Sequence, residues 1–278
     1  MDQLAASPAQ PGASSKTFAA NRVVSRIALT VAAVDGRSRR SRIYEDGALR
    51  VRFPNGEKLE AVVVNTAGGI AGGDRFSFDI SVEWGAELTL TTAAAEKAYR
   101  SLGDDSTLDV TLSVGRGATL YWLPQETILF DQARLDRSIT VDLTEDASLL
   151  LAEAVVFGRT AMGETVTQGR LRDRWRVRRD GKLIFADTLR LDGAIADQLA
   201  LPAVAGGGRA IATVLLAYGD EARIAAAREQ QFSGEVGIST WNGITLARLV
   251  ARDGEMLRRD LKSLLVKFAG ALPRLWLN

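Results

Sequence analysis

The 278-residue chain carries 35 Lys plus Arg against 34 Asp plus Glu, a formal net charge of +1, and contains neither Cys nor His. Those two zeros exclude a disulfide, a thiol nucleophile, a Ser-His-Asp triad, a histidine base and any His or Cys zinc or iron–sulfur site. The composition, 46% hydrophobic and 25% charged, is that of a soluble globular protein with a real core; near-neutral charge argues against general nucleic-acid binding, and no apolar run approaches the roughly 18 residues of a membrane helix.

Residues 1–17 are rich in Ala, Ser, Pro and Gln, lack the basic start and apolar stretch of a secretory signal, and read as a disordered tail. A cytoplasmic address is the resulting expectation. Residues 18–278 read as one domain, β-rich over 22–192, where apolar and polar residues alternate with period two between Gly, Asp and Asn punctuation. Three segments within it align on a central alanine, Ala86, Ala118 and Ala147, with apolar residues eight, six and four positions before it and two and four after it. Around Ala118 these are Val110, Leu112, Val114, Leu120 and Trp122. A repeat of about 30 residues, each a strand, a tight turn and a second strand, predicts stacked strand layers that bury a core no single repeat could bury. The fold class is therefore mainly β, a superhelical or solenoid-like stack, with a β-sandwich of hairpins as the alternative.

The texture changes in the C-terminal portion, 209–278. Ile211 to Tyr218 reads as a strand, Asp220 caps a short Ala-rich helix, and Asn242-Gly243 turns a hairpin between Val236–Ser239 and Ile244–Val250. An amphipathic helix follows, with Asp253 as its N-cap, Leu257, Leu261, Leu264, Leu265 and Phe268 on one face, and Gly270 as its stop. The Arg274 to Trp276 tail either contacts a partner, with Trp276 as an exposed anchor, or braces the fold as a buried plug.

Candidate chemistry is confined to a few places. Gly68, Gly69, Gly72 and Gly73 lie in Asn65–Asp74 (NTAGGIAGGD), whose spacing fits no phosphate loop and predicts a structural turn with close backbone approach. Each repeat then ends in a segment bearing carboxylates: Glu96, then Glu126 and Asp131, then Glu153 and Glu164. Stacking would bring such groups to one side; polar strand ends are the plainer explanation, with Lys97 or Arg159 pairing one of them. Arg170, Arg172, Arg174, Arg176 and Arg178 alternate with Leu171, Asp173, Trp175 and Val177, which puts an arginine row on one strand face. It is either a solvated face or a docking surface for an acidic partner.

Six separated blocks carry a family resemblance: NTAGGIAGGD (65–74), TTAAAEKAYRS (91–101), LPQETILFDQARL (123–135), EAVVFGRTAMGE (153–164), LRDRWRVRRDGKLIFAD (171–187) and LPRLWLN (272–278). In these the chain resembles the urease accessory protein D family (UreD, called UreH in some bacteria). The resemblance implies a predominantly β fold and a cytoplasmic, non-enzymatic maturation factor. It would bind urease apoprotein and, with the helical UreF and the GTPase UreG, support nickel insertion, the nickel being supplied by UreE. The residues fit that role: imidazole and thiolate hold Ni²⁺ tightly, whereas this chain offers only oxygen donors, so it suits transient Ni²⁺ passage and no tightly bound cofactor. Candidate path residues are Asp74, Glu96, Glu126, Glu153 and Glu164; candidate partner contacts are the arginine row, Arg274 and Trp276. The alternatives are a metal-free interaction scaffold and a β-solenoid polysaccharide lyase working through carboxylate-bound Ca²⁺ and an Arg or Lys base.

Overall fold

The structure, a computed structural model, describes residues 22–159 and 162–277. The expected tail at 1–17 lies outside the described residues. The chain forms a β-solenoid of about four turns, as the repeats predict.

Its first wall is a seven-stranded sheet. Five strands run parallel and side by side: β1 (Val24–Val34), β5 (Arg75–Val82), β8 (Ser106–Val114), β11 (Arg134–Leu143) and β13 (Gln168–Arg179). The antiparallel hairpin partners β2 (Arg37–Asp46) and β14 (Lys182–Ala194) finish its two edges. The facing wall has a parallel centre of β4 (Glu60–Asn65), β6 (Glu87–Thr92), β9 (Thr119–Trp122) and β12 (Ser148–Phe157). It is extended antiparallel by β3 (Leu49–Arg52) at one end and by β15 (Ala210–Ala217), β17 (Ile244–Ala251) and β16 (Glu235–Trp241) at the other. Two short strands, β7 (Glu96–Ala98) and β10 (Thr127–Leu129), pair in parallel with each other, and β10 also pairs in parallel with the end of β12.

The chain crosses from one wall to the other at Ala86, Ala118 and Ala147, all fully buried. Each alanine amide donates to the carbonyl three residues back, Glu83, Gly115 and Thr144, at 3.0, 3.0 and 3.1 Å. Equivalent side chains stack in register. Phe78, Val110, Ile139 and Trp175 form one rung of the first wall, and Leu88, Leu120 and Leu149 one rung of the second. Apart from Trp175, these are the positions picked out by the repeat.

The second wall is buried on its outer face as well, which explains the unbroken apolar run in β12. Helices α2 (Glu221–Arg228) and α3 (Gly254–Ala269) lie in the same apolar cluster as Leu150, Ala152, Val214, Leu216 and Leu249 of that wall. Asp220 and Asp253 cap them as expected, accepting from Ala222 N at 2.8 Å and Met256 N at 2.9 Å, and Gly270 ends α3 at φ 80°. A further short helix, α1 (Ile195–Ala200), follows β14 and was not anticipated.

Trp276 is the buried plug and not the exposed anchor. It is 1% exposed, sits in a 3₁₀ turn (Arg274–Trp276), and its indole Nε1 donates to the Leu123 carbonyl at 2.9 Å. The Arg258 guanidinium lies 5.4 Å from its ring centroid. A large ring with a polar edge gains more from burial with a hydrogen bond than from exposure beside Arg274, which itself faces solvent. Trp276→Ala is expected to cost about 3–5 kcal/mol, since it leaves a cavity and an unpaired carbonyl. A urea midpoint within error of the wild type would refute that role.

Candidate functional site

The rungs are apolar through most of the stack, but at one level they change character. In the first wall the row Phe76, Leu108, Arg137 and Asp173 is paired in register and inward-facing. In the second wall, Thr92, Pro124 and Glu153 stand six residues after the three turn alanines. Apart from Asp173, these two rows face a cavity of about 290 Å³ inside the solenoid, lined otherwise by residues that include Ile70, Phe78, Leu90 and Trp122 and by Asn65, Glu96, Lys97, Gln125 and Thr127.

One end of the cavity carries a buried ionic triad. Arg137, 1% exposed, bridges Glu153 through Nη1 and Asp173 through Nη2, the latter at 2.5 Å. Each carboxylate also takes an indole donor: Trp122 Nε1 to Glu153 at 2.8 Å and Trp175 Nε1 to Asp173 at 3.0 Å. Burial is the largest influence on Glu153 and pushes its carboxyl up, against the opposing Arg137 charge and with Asp173 adding to the rise. For Arg137 burial acts downward, but Asp173 and Glu153 outweigh it and hold the guanidinium above its ordinary range. The triad carries two carboxylates for one cation.

Glu96 is the second acidic wall. Asn65 Nδ2 donates to both of its carboxylate oxygens at 3.1 Å, and its own amide donates to the Glu126 carbonyl at 2.9 Å. No Arg or Lys pairs with it among the described residues. Burial therefore raises its pKa, with the Asn65 hydrogen bond and Lys97 acting the other way.

Of the five candidate path residues, only Glu96 and Glu153 line this cavity. Asp74, 3% exposed, is turned to the backbone, accepting from Val23 N at 2.9 Å and Ala71 N at 2.8 Å, so it ties β1 to the glycine segment. Glu126 pairs with Arg258 of α3 at 3.0 Å. Glu164 pairs with Arg159 at 2.8 Å, and that hydrogen bond holds its carboxyl below the usual range. The glycine segment is the structural turn expected. A Cβ at Gly69 would overlap the Tyr99 ring and one at Gly72 the Ser101 side chain, while Gly68 and Gly73 adopt φ of 77° and 87°. It lets Ile70 bridge to Ala98 and close the cavity on that side.

The arginine row lies on the outer face of β13, opposite Leu171, Asp173, Trp175 and Val177. Carboxylates on neighbouring strands meet much of it. Arg170 pairs with Asp105 and Asp192, both at 2.9 Å, and Asp136 takes Arg172 Nε at 3.1 Å and Arg174 at 3.0 Å. Arg176 donates to the Trp175 and Asp187 carbonyls at 2.8 and 2.9 Å, and Arg178 has no ion pair among the described residues.

Sequence reasoning missed Arg137, Asp173, Asn65 and Gln125 as members of the site. Extending the repeat by two positions would have exposed Arg137, which falls ten before Ala147 where Phe76 and Leu108 stand before Ala86 and Ala118. The donor set is oxygen only, and among the described residues no group of three or more Asp or Glu converges to hold a metal ion. No helix among the described residues is long and apolar enough to cross a membrane.

These features define a class: a β-solenoid protein whose interior holds a small, partly acidic cavity. The model of the family described as UreD urease accessory protein matches residues 24–277. Proteins named urease accessory protein UreD from Rhodopseudomonas palustris strains BisA53 and HaA2 are each 58% identical, over 268 and 271 residues, covering 95% and 96% of this chain and 94% and 97% of theirs. One from Bradyrhizobium diazoefficiens is 55% identical over 268 residues, covering 95% of this chain and 97% of its own. The chain belongs to the UreD family of urease accessory proteins. Membership supports a role in urease maturation over the polysaccharide-lyase alternative, which rested on solenoid architecture and an abundance of Asp, Glu and Arg.

Burial of Glu96 has a consequence for stability. Its folded-state pKa lies above the unfolded value, so the folded chain binds more protons between the two; that stabilisation is full below the ordinary carboxylate pKa and is lost as pH rises through the raised one. Glu96→Gln is therefore expected to raise the urea midpoint at neutral pH, with the gain vanishing below about pH 4. A gain of equal size at both pH values would show that the carboxylate charge is not its cause.

Proposed function

We propose that this chain serves urease maturation as a scaffold with an internal nickel conduit, binding urease apoprotein and acting with UreF and the GTPase UreG on nickel supplied by UreE. The coarser role, accessory to urease, follows from family membership. The observation that carries the finer one is the meeting of Glu96 and Glu153 across a single interior cavity, although 57 residues separate them in the chain.

The chemistry supports transit. Ni²⁺ entering with water ligands would exchange one or two of them for carboxylate oxygen from Glu96 or Glu153. The apolar walls offer no further ligands, so the ion is not captured. GTP hydrolysis belongs to another subunit, consistent with a glycine segment that packs against Tyr99 and Ser101 instead of forming a phosphate cradle. The ion-paired arginine face, with Arg170, Arg172, Arg174, Arg176 and Arg178, and the exposed Arg274 are candidate contacts for acidic partner surfaces, where exposed charge acts mainly on association rate. The place of action proposed is the cytoplasm.

The test is urease purified from cells co-expressing the Glu96→Gln/Glu153→Gln variant. Complex assembly is expected to persist while nickel per urease active site and urease activity fall at least about tenfold, the size of effect expected when both charged ligands are lost. Normal nickel content with normal assembly would leave a metal-free scaffold as the reading. Loss of assembly would assign both residues to structure.

A further inference from the structure

The arginine row on the outer face of β13 is largely met by carboxylates, but the strand ends on an arginine that is not. Register puts Arg179 beside Leu143, Leu143 beside Val114 and Val114 beside Val82, so on its coil Arg179 takes the inward position that apolar residues hold on the coils before it. Only the edge strand β14 lies beyond it. The guanidinium rests on the rim of the stack, 4.7 Å from the Tyr218 ring centroid, and its Nη2 donates to the Gly243 carbonyl at 3.4 Å. Its Nε is buried and has no acceptor among the described residues. Lys182 stands in register with it across the hairpin and also has no ion pair among the described residues, while Asp180, in the turn between them, pairs with neither. Like charges set opposite each other on paired strands repel, and nothing within the described residues offsets them.

The surroundings are aromatic and rigid. Tyr218 is 48% exposed, and Trp241, on the hairpin that holds Gly243, is 38% exposed with its ring 6.3 Å from that of Phe185. Both hairpin tips, Asp180-Gly181 and Asn242-Gly243, have positive φ at both turn positions, as tight two-residue turns require. Tyr218 is itself held at φ 56°, which disfavours an aromatic residue. Trp, Tyr and Arg are the side chains that most often anchor protein interfaces, and side chains fixed before contact lose little freedom on binding.

We propose that Arg179, Lys182, Tyr218 and Trp241 form the docking surface for a segment of a partner protein that carries an Asp or Glu beside an apolar side chain. The carboxylate lies between the two cations, and the apolar side chain packs on the exposed indole and phenol rings. This rests on the reading that the chain works within a urease-maturation complex. Two cations suit one carboxylate; a nucleic-acid backbone or an anionic membrane is held by larger basic clusters.

The experiment measures binding of the full-length protein to urease apoprotein, UreF and UreG, each purified and added singly and together, at low and high salt. For one of these partners, Arg179→Gln/Lys182→Gln and Trp241→Ala are each expected to weaken binding about thirtyfold, the size of effect at interface anchors. The loss in the charge variant should shrink as salt rises, because screening removes the same attraction from the wild type. Since Trp241→Ala also removes a neighbour of buried Phe185, Tyr218→Asn provides a second variant: Asn accepts positive φ, so the ring is lost without backbone strain. It should weaken the same partner. Trp84→Ala removes an indole that is 75% exposed after β5, three strands from β13, and should bind as the wild type does.

The proposal is overturned if the patch variants bind every partner as the wild type does, if Trp84→Ala weakens binding equally, or if the loss in the charge variant is independent of salt. It is also overturned if Arg179 and Lys182 govern binding to phosphatidylserine vesicles and not to any of the proteins. Failure of the wild type itself to bind any of the three partners would remove the maturation-complex reading, and this surface with it.

Discussion

Parallel, in-register stacking of one coil on the next is the constraint from which the rest of this structure follows. Each inward side chain lies on its counterpart in the neighbouring coil, so a rung tolerates only residues of compatible size and polarity. The crossings between walls are as strict, since Ala86, Ala118 and Ala147 are fully buried where the chain reverses. Larger side chains there would push the walls apart, and packing at interior density leaves little room for that. With the spacing of the walls fixed at the turns, the rungs further along must fill what remains. Most do, as with Phe78 and Trp122, whose rings meet edge to face at 5.8 Å. The level of Arg137 and Glu153 does not, and the unfilled volume there is the cavity.

A buried ionic triad is an expensive way to build one level of a core. An apolar rung of similar volume would serve stability as well or better, because desolvation consumes much of what the ion pairs return. What the triad provides is geometry. The Arg137 fork and the two indoles fix Glu153 and Asp173 with hydrogen bonds to all four carboxylate oxygens. Glu96 is held differently, by a neutral amide and without a counter-charge, so the two acidic walls of the cavity are not equivalent. One is a lone carboxylate kept partly dry, the other a member of an ion-paired triad.

How much of this was legible in the sequence depended on whether the pattern was local. The alternation around Ala86, Ala118 and Ala147 is local and repeated, and it specified the solenoid, its rungs and its turns. The helix caps at Asp220 and Asp253 are equally local. The carboxylates were harder, because a polar residue at a strand end looks the same whether it faces a cavity, caps a backbone or pairs with an arginine. Asp74, Glu96, Glu126, Glu153 and Glu164 divide among those fates by partners that are 51, 31, 132, 16 and 5 residues distant. Asp173 was hidden by its neighbours: it reads as one charge among many in a basic block, yet its parity puts it with Leu171, Trp175 and Val177 on the inward face. Arg137 was hidden because the repeat was read only as far as its apolar positions.

The outer helical layer is joined to the same cavity. Gln125, buried on its wall, takes a hydrogen bond from Arg258 of α3 at 2.5 Å, donates through its side-chain amide to the Leu275 carbonyl at 3.1 Å, and donates through its backbone N–H to Thr92 Oγ1 at 2.9 Å. Glu126, the next residue, pairs with the same arginine, and its carbonyl accepts the amide of Glu96. Trp276 closes the group by holding the Leu123 carbonyl. Segment 123–126 is thus a thin partition with the cavity on one side and the C-terminal layer on the other, held on both by side chains with few alternatives. A displacement of α3 or of the tail is transmitted to Gln125 and Glu96, because direct hydrogen bonds join Arg258 to Gln125 and Glu126, Gln125 to the Leu275 carbonyl, and the Glu126 carbonyl to the Glu96 amide. The C-terminal layer is for that reason part of the cavity wall in mechanical terms, although it contributes only through the partition.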